Sequence, residues 1–364
     1  MDRSIFQKRI ARLRSFFSKE GLDSMWIKSS ENRRYISGFK VQDILITESA
    51  GSLLIGKDFT VFLTDPRYEL EAKESVSDFD IRILRNNQLK DFCKTVTELN
   101  IKRLGFEKEY LSYGTYMKIK DEFKRIGYEI ELIPVSGIVE KMRQIKDSYE
   151  IKMIKKSADM ILHIMEELKE YIKPGVTERD LCFKVYELAF KYGAEDLAFP
   201  PIIASGPNSA LPHAVPTEKK IKEHEVVIVD IGVKVDGYCS DITRTFFVGK
   251  ADSELEKIYS LVRDAQRKAI EEAKAGIKAS DLDKTARKII EDAGYGDYFS
   301  HGLGHGVGLS VHEAPSISKI DSTVLAPGMV ITIEPGIYIP NKGGVRLEEM
   351  ILIKEDGSEV ITER

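Results

Sequence analysis

The spacing of apolar residues in the first third of the chain alternates between helical and strand periods. Apolar side chains three and four positions apart predict an amphipathic helix over residues 3–20 that ends at Gly21. Short apolar runs bounded by turn residues predict strands over 24–28, 52–55, 60–63, 80–84, 103–106 and 129–133. Further helices are predicted over 66–75, 87–98 and 112–126. This order indicates an α/β domain over residues 1–133.

The pattern changes after residue 133. Pro134 and Gly137 indicate a linker over residues 134–146. Residues 147–364 have the long helices and the Gly- and β-rich end that predict an α+β domain. Its predicted helices are 147–171, 177–192 (with Thr177 as N-cap), 252–275 and 279–293, and its predicted strands are 201–204, 226–235 and 239–248.

Composition narrows the class of protein. The 364 residues include 55 Lys+Arg and 59 Asp+Glu, so a formal net charge of -4 argues against nucleic-acid binding. Three widely spaced cysteines do not make a disulfide framework and favour a reducing compartment. The chain has no signal-peptide pattern at its start and no apolar run near the roughly 18 residues of a membrane span. We therefore expect a cytoplasmic protein without membrane association.

Two aspartates lie on a predicted β-hairpin over residues 226–246. A two-residue loop at Asp236-Gly237 would make Asp230 and Asp241 diagonal neighbours, and a loop one residue earlier would place them directly opposite. Both registers put the carboxylates on one face, where they repel each other. A strand-end aspartate usually points to solvent, but Asp230 ends an apolar run, which argues for burial. A buried carboxylate needs a counter-charge, and a shared cation would supply it.

Three of the six histidines fall in one glycine-rich segment, His301-Gly-Leu-Gly-His305-Gly-Val-Gly-Leu-Ser-Val-His312. The His-x-x-x-His spacing is typical of a helical zinc motif, but the glycines disfavour a helix and favour extended backbone close to a ligand. On a regular strand His301 and His305 share a face, and His312 points the other way. A bend or bulge at Gly306 or Gly308 would let all three converge.

The last two segments contribute glutamates. Glu334 follows an apolar run and precedes a Pro-Gly turn. Strict alternation puts Arg346, Glu348 and Met350 on one face of the following strand and Glu349 on the other. One of the two consecutive glutamates should therefore point inward and the other to solvent, and alternation alone leaves open which.

A mostly oxygen donor set with one imidazole suits a pair of divalent cations, Mn²⁺ or Co²⁺ before Zn²⁺. Two such ions roughly 3.5–4 Å apart could share a bridging hydroxide and stabilise a hydrolytic transition state. The candidate ligands are Asp230, Asp241, His305, Glu334 and either Glu348 or Glu349.

In this order, Asp-x(10)-Asp, the Gly-rich His segment, Ile-Glu-Pro-Gly and Arg-x-Glu resemble the pita-bread metallopeptidases. Within them the chain resembles the aminopeptidase P and prolidase branch, which cleaves Xaa-Pro bonds. The resemblance covers the whole chain, because that branch carries an N-terminal domain of this size. It implies an α/β N-terminal creatinase-like domain, an α+β pita-bread catalytic domain and a homodimer.

Carried over to this sequence, the resemblance implies functional roles. His213 and His312 would be catalytic, His213 by holding substrate or the leaving proline nitrogen and His312 by stabilising the oxyanion. His301 would line the proline pocket, and Arg346 would lie beside the last glutamate and help bind substrate. Glu334 would act as general base as well as ligand. The family's dinuclear ligands fall on Asp230, Asp241, His305, Glu334 and Glu348.

One departure affects the expected substrate. Dedicated dipeptidases of this branch often have an arginine after His-Glu that binds the dipeptide carboxylate, and Ser316 stands there in this chain. The first expectation is therefore an aminopeptidase acting on longer peptides with proline at the second position. The alternatives are a strict Xaa-Pro dipeptidase and, more distantly, a non-catalytic peptide-binding protein of the same fold.

Overall fold

The computed structural model describes residues 3–43, 45, 48–250 and 252–363. They form two compact units, Met1–Arg143 and Gln144–Arg364. In the part of the chain so described, no helix is long and apolar enough to cross a membrane.

The N-terminal unit is built on a six-stranded sheet. Its strands are β1 (Ser24–Ile27), β2 (Ser52–Gly56), β3 (Thr60–Thr64), β4 (Asp80–Ile83), β5 (Arg103–Glu107) and β6 (Glu131–Val135). In the order β4-β3-β2-β1-β5-β6, all strands run in one direction except β2. Its helices are α1 (Arg3–Arg14), α2 (Phe17–Glu20), α3 (Ser30–Ser37), α4 (Glu69–Ser75), α5 (Gln88–Glu98), α6 (Tyr113–Arg125) and α7 (Ile138–Arg143).

The strands of this unit lie where the sequence predicts them, and three other features differ. The predicted helix over 3–20 is divided, since the Ser15 hydroxyl bonds back to the Arg12 carbonyl (2.6 Å) and competes with the helix. Helix α3 was not predicted, because only Tyr35 and Ile36 of its eight residues are apolar. The predicted linker over 134–146 contains the end of β6 and α7, which buries Val139 and Met142, and the boundary between the two units, after Arg143, falls inside it.

The second unit contains four long helices and the remaining strands. The helices are α8 (Ser148–Lys169), α9 (Glu178–Tyr192), α10 (Ser253–Glu272) and α11 (Ala279–Asp292). The strands are β7 (Asp196–Leu197), β8 (Ile202–Ser205), β9 (Val226–Ile231), β10 (Val233–Val235), β11 (Tyr238–Cys239), β12 (Ile242–Phe247), β13 (Gly304–Gly306), β14 (Glu313–Ile317), β15 (Val330–Ile333), β16 (Gly336–Ile339), β17 (Gly343–Arg346), β18 (Glu349–Lys354) and β19 (Gly357–Val360). Thr177 caps α9 in a capping box, as predicted.

Two antiparallel sheets of this unit carry most of the candidate ligands. One has the order β12-β9-β8, and the other has the order β14-β13-β15-β18-β19. In the hairpin, Val235 pairs with Tyr238, so the loop is Asp236-Gly237. Asp230 then pairs with Thr243. Of the two predicted registers, the structure therefore has the one in which Asp230 and Asp241 are diagonal neighbours.

Glu107 ends β5 inside a buried polar network. Its carboxylate accepts hydrogen bonds from the backbone N–H groups of Lys28 (2.6 Å) and Ser29 (2.8 Å) and from the Asn32 amide (2.6 Å). The same amide also donates to Glu140. Burial raises the pKa of Glu107 to about 7, and the three hydrogen bonds offset only part of that shift.

We expect Glu107 to make the stability of the N-terminal unit depend on pH. Its pKa of about 7 lies above the ordinary 4.5, so stabilisation present below pH 4.5 is lost as the pH rises through 7, by roughly 3 kcal/mol. Urea unfolding followed by the fluorescence of Trp26, the single tryptophan, measures the loss. Glu107→Gln should flatten the dependence of the unfolding free energy on pH. Glu131→Gln, at the exposed first residue of β6, should not. An unchanged profile in Glu107→Gln would contradict this assignment.

Candidate metal centre

One cavity of about 540 Å³ in the second unit brings all the predicted site residues together. The sequence places them on four separate segments and one loop, more than 130 positions apart at the extremes. The cavity is lined by His213, Asp230, Asp241, His301, His305, His312, Glu334, Arg346 and Glu348.

Each acidic side chain stands at or beside the end of a buried strand. Asp230 lies near the end of β9, Asp241 directly precedes β12, and Glu334 directly follows β15. Glu348 lies between β17 and β18, and only 2 % of it is exposed. Since apolar strand residues anchor the backbone on the core side, the carboxylates project together from the strand ends.

Glu349, the other candidate, points away from the cavity. It pairs with Arg244 (2.7 Å) and accepts a hydrogen bond from Thr362 (2.6 Å). Glu348 instead accepts a hydrogen bond from the Thr243 hydroxyl (2.7 Å) inside the site. Of the two glutamates, Glu348, which the resemblance implied as a ligand, is therefore the one that faces the cavity.

His305 is oriented by a bulge in β13. The register against β14 shifts between His305 and Gly306, at one of the two glycines predicted to allow it. His305 Nδ1 lies 3.1 Å from the Gly306 carbonyl, which can only accept, so the proton is on Nδ1. Nε2 therefore faces Asp241 (3.6 Å) and Glu334 (3.3 Å).

Three of these residues form a group with metal-ligand spacing. Donor atoms of Asp241, His305 and Glu348 all lie within 4.8 Å of one another. Burial, and then the neighbouring carboxylates, raise the pKa values of Asp241 and Glu348 well above their ordinary range. Such mutual repulsion is what bound divalent cations would relieve.

The donor chemistry fits divalent cations in a further respect. Asp230 Oδ1 is buried and has no hydrogen-bond partner among the described residues, although Oδ2 accepts from Arg346 (2.6 Å). Burial raises the pKa of Asp230, and Arg346 partly counteracts it. A buried carboxylate oxygen without a partner is costly unless a ligand binds it.

Arg346 joins the acidic cluster to the cavity wall. Besides binding Asp230, its guanidinium donates to the Tyr338 hydroxyl (2.8 Å) and to the Pro212 carbonyl (3.1 Å). Tyr338 has one hydroxyl proton, which it donates to His301 Nε2 (2.9 Å). His301 Nδ1–H donates to the Gly302 carbonyl. Both nitrogens of His301 are therefore occupied, and its ring forms a fixed wall.

The loop that carries His213 is held at both ends by one buried glutamate. Glu178, the first residue of α9, accepts hydrogen bonds from the N–H and hydroxyl of Ser205 (2.7 and 2.8 Å). It also accepts them from the N–H and hydroxyl of Thr217 (3.0 and 2.6 Å). The Asn208 amide donates to both carboxylate oxygens at 3.1 Å. Five donor groups, which make six hydrogen bonds to one carboxylate, fix where the loop begins and ends.

A buried ion pair holds the segment that carries His301 in a similar way. Arg287 pairs with Asp283 on α11 at 2.8 Å and donates to the carbonyls of Phe299 (2.9 Å) and His301 (2.7 Å). Asp283 accepts from the Leu303 N–H (3.0 Å). The Arg287–Asp283 pair therefore fixes the backbone on both sides of His301.

His312 stands at the open side of the cavity. Its ring centroid lies 4.2 Å from that of His305. Partial burial and then His305 lower the pKa of His312, which keeps it neutral and able to donate one N–H at neutral pH.

The sequence analysis did not predict roles for Tyr338 and Glu178. Tyr338 follows the Ile-Glu-Pro-Gly segment and could have been suspected, whereas nothing local distinguishes Glu178 from an N-terminal helix acid.

Comparison with known proteins agrees with this geometry. Residues 152–355 match the model of metallopeptidase family M24, and residues 9–145 match that of the creatinase/prolidase N-terminal domain.

The chain is similar to named relatives over nearly its whole length. It is 41% identical over 360 residues to a Xaa-Pro dipeptidase of Pyrococcus horikoshii, covering 98% of this chain and 97% of the relative. The structure of a Xaa-Pro dipeptidase from Bacillus anthracis has a TM-score of 0.92 and 40% identity, covering 99% of this chain and 98% of that one. That of an X-Pro aminopeptidase from Thermotoga maritima has a TM-score of 0.87 and 35% identity, covering 98% and 97%.

These matches confirm the creatinase-like and pita-bread architecture predicted from the sequence. The chain therefore belongs to metallopeptidase family M24 and carries a creatinase/prolidase N-terminal domain.

Proposed function

We propose that this protein is a metal-dependent Xaa-Pro dipeptidase, which hydrolyses the bond between a first residue and a following proline. One observation carries the proposal: the buried acidic cluster and four histidines converge on a single cavity. Relatives at 40% and 41% identity that match almost the whole chain are named Xaa-Pro dipeptidase, which supports this substrate class.

Five side chains of this protein would hold the metal ions: Asp230, Asp241, His305, Glu334 and Glu348. When bound, two divalent cations, Mn²⁺ in preference to Co²⁺ and then Zn²⁺, would acidify water and polarise the scissile carbonyl. The native metal, a homodimeric state and a cytoplasmic location all stay predictions from the sequence.

Glu334 is suited to accept a proton during hydrolysis. Burial alone would raise its pKa, but the hydrogen bond and charge of His305, when that ring is protonated at both nitrogens, together with His301 and Arg346 outweigh burial and lower the pKa to about 2. Glu334 is therefore ionised at neutral pH. A carboxylate of such low pKa is a weak base, so it can take a proton only from an acidified water.

The histidines have separate tasks. Neutral His312 can donate its N–H to the oxygen that becomes negative in the transition state. His213, on the opposite loop, can hold the substrate near its proline nitrogen. His301, together with Phe199 and Pro200 of the same cavity lining, can offer the flat, largely apolar surface that a proline ring fits.

A second candidate function, an Xaa-Pro aminopeptidase acting on longer peptides, is favoured by a different observation. Among the described residues that line the cavity, Arg346 is the only lysine or arginine, and Asp230 already occupies it. Ser316 and Ser318 line the wall where a dipeptide carboxylate would need a cation. The Thermotoga maritima relative is named X-Pro aminopeptidase.

The two functions are separated by rates on Leu-Pro and on Leu-Pro-Gly-Gly after Mn²⁺ loading. Dipeptidase function predicts the higher kcat/KM on Leu-Pro, and aminopeptidase function the higher value on the tetrapeptide. Chelation should abolish either activity. Metal-loaded protein that cleaves neither peptide would disprove the whole proposal.

Ser316→Arg should increase dipeptide cleavage. A charge-assisted hydrogen bond to the free carboxylate would lower KM for Leu-Pro by about tenfold and leave the tetrapeptide nearly unchanged. Ser316→Ala is the matched control, since it removes the hydroxyl and adds no charge. Equal effects of Arg on both peptides would show that residue 316 does not contact the dipeptide carboxylate.

Glu348 and Glu349 offer a paired test of the metal centre. Glu348→Gln should reduce Mn²⁺ content from about two equivalents to about one and abolish activity. Glu349→Gln should keep the metal and lose only stability, because Glu349 serves the Arg244 and Thr362 contacts. Metal analysis after dialysis gives the answer. Full metal content in Glu348→Gln would exclude Glu348 as a ligand.

Glu178→Gln should impair catalysis without reducing metal content. Replacing one acceptor oxygen by an amide loosens the loop at Ser205 or Thr217, so kcat/KM should fall about tenfold. In a double-mutant cycle with His213→Ala the two losses should not add, because both act through one loop. Glu150→Gln, another buried helix-cap glutamate, is the control for stability alone. Additive losses would indicate that Glu178 acts independently of His213.

A further inference from the structure

The N-terminal unit contains a second cavity, of about 520 Å³. It lies at the carboxyl ends of β1, β3 and β4, where Lys28, Asp65 and Leu84 follow the strands. These three strands run in the same direction. The carboxyl edge of an open α/β sheet is the usual place for a ligand. A volume of this size is sufficient for a small organic molecule.

An aromatic pair forms one side of this cavity. The rings of Trp26 and Phe92 have centroids 4.2 Å apart. Trp26 is 7% exposed, and its Nε1–H donates to Ser52 at 3.0 Å. Its polar edge is thus satisfied inside the protein, and the rings contribute apolar surface. This side can pack against a flat or apolar group.

Three lysines, Lys28, Lys90 and Lys118, give the cavity a positive charge. Lys28 Nζ lies 5.4 Å from the Trp26 ring centroid. Among the described residues, none of the three ammonium groups has a carboxylate within ion-pair distance. Burial lowers the pKa of Lys28, and the fields of Asp43 and Glu107 offset only part of that shift.

The acidic residue of the cavity does not balance this charge. Asp65 already pairs with Arg67 at 2.7 Å, through contacts to both carboxylate oxygens. Gln88 also donates to Asp65, at 3.5 Å. The ammonium groups therefore remain available to an anion from outside the chain.

We propose that this cavity binds a small organic anion, whose carboxylate or phosphate contacts Lys28 and whose flat or apolar part packs on Trp26 and Phe92. The site lies wholly within the N-terminal unit and does not depend on the proposed peptidase activity.

Trp26 is the single tryptophan, so its fluorescence in the full-length protein reports binding directly. The probes are phenyl phosphate, phenylacetate, inorganic phosphate and the neutral 2-phenylethanol. A saturable change is expected with at least one aromatic anion and a weaker one, or none, with 2-phenylethanol. Comparison of the two aromatic anions identifies whether the group bound is a phosphate or a carboxylate.

Lys28→Gln should weaken binding of the aromatic anion by about tenfold, and the exposed Lys118→Gln by about threefold. Lys102→Gln is the matched control: Lys102 also lies over an aromatic ring, that of Tyr128 (3.9 Å), but outside this cavity. It should bind like the wild type. No saturable change up to about 10 mM, equal binding of 2-phenylethanol, or full affinity in Lys28→Gln would overturn the proposal.

Discussion

The second unit is organised around the repulsion among four carboxylates, three of them buried and one, Glu334, partly buried. Asp230, Asp241, Glu334 and Glu348 share one cavity, and Arg346 supplies the only guanidinium there among the described residues. Burial of so much negative charge is unfavourable unless cations enter. The raised pKa values of Asp241 and Glu348 express the same conflict. The clustered carboxylates therefore lower the stability locally, and the rest of the unit must hold the repelling groups in place.

The surrounding contacts do so from outside the acidic cluster. Strand pairing fixes the carboxylates: the β9–β12 register sets Asp230, and the β13 bulge sets His305. Two buried acids then fix the walls, Glu178 for the His213 loop and Asp283, through Arg287, for the His301 segment. Each of them is fully satisfied by hydrogen bonds within the chain. The walls are therefore held by contacts that do not involve the candidate metal ligands.

Features that depend on residues close together in the sequence were predicted well from local sequence patterns. Strand alternation and glycine placement reduced each of three features to two alternatives: the position of the hairpin loop, a bulge at Gly306 or Gly308, and an inward Glu348 or Glu349. The structure has the loop at Asp236-Gly237, the bulge at Gly306 and Glu348 inward. Long-range contacts were not predictable. Helix α3 is polar in sequence, and its Arg33 is buried only because Asp43 and the Gly51 carbonyl meet it. Glu178 likewise owes its role to Ser205 and Thr217, which lie 27 and 39 positions away.

The acidic cluster and the segments that carry His213 and His301 are held by different contacts. The cavity wall can therefore change without changing the acidic cluster. Ser316 pairs with His305 across β13 and β14, so the two side chains belong to one ladder. The backbone hydrogen bonds of that ladder do not depend on which side chain occupies position 316. A change there would alter the charge that the cavity wall presents but leave the backbone position of His305 intact. Under the proposed function, the preference for dipeptides or longer peptides could therefore differ between chains that keep the same acidic cluster.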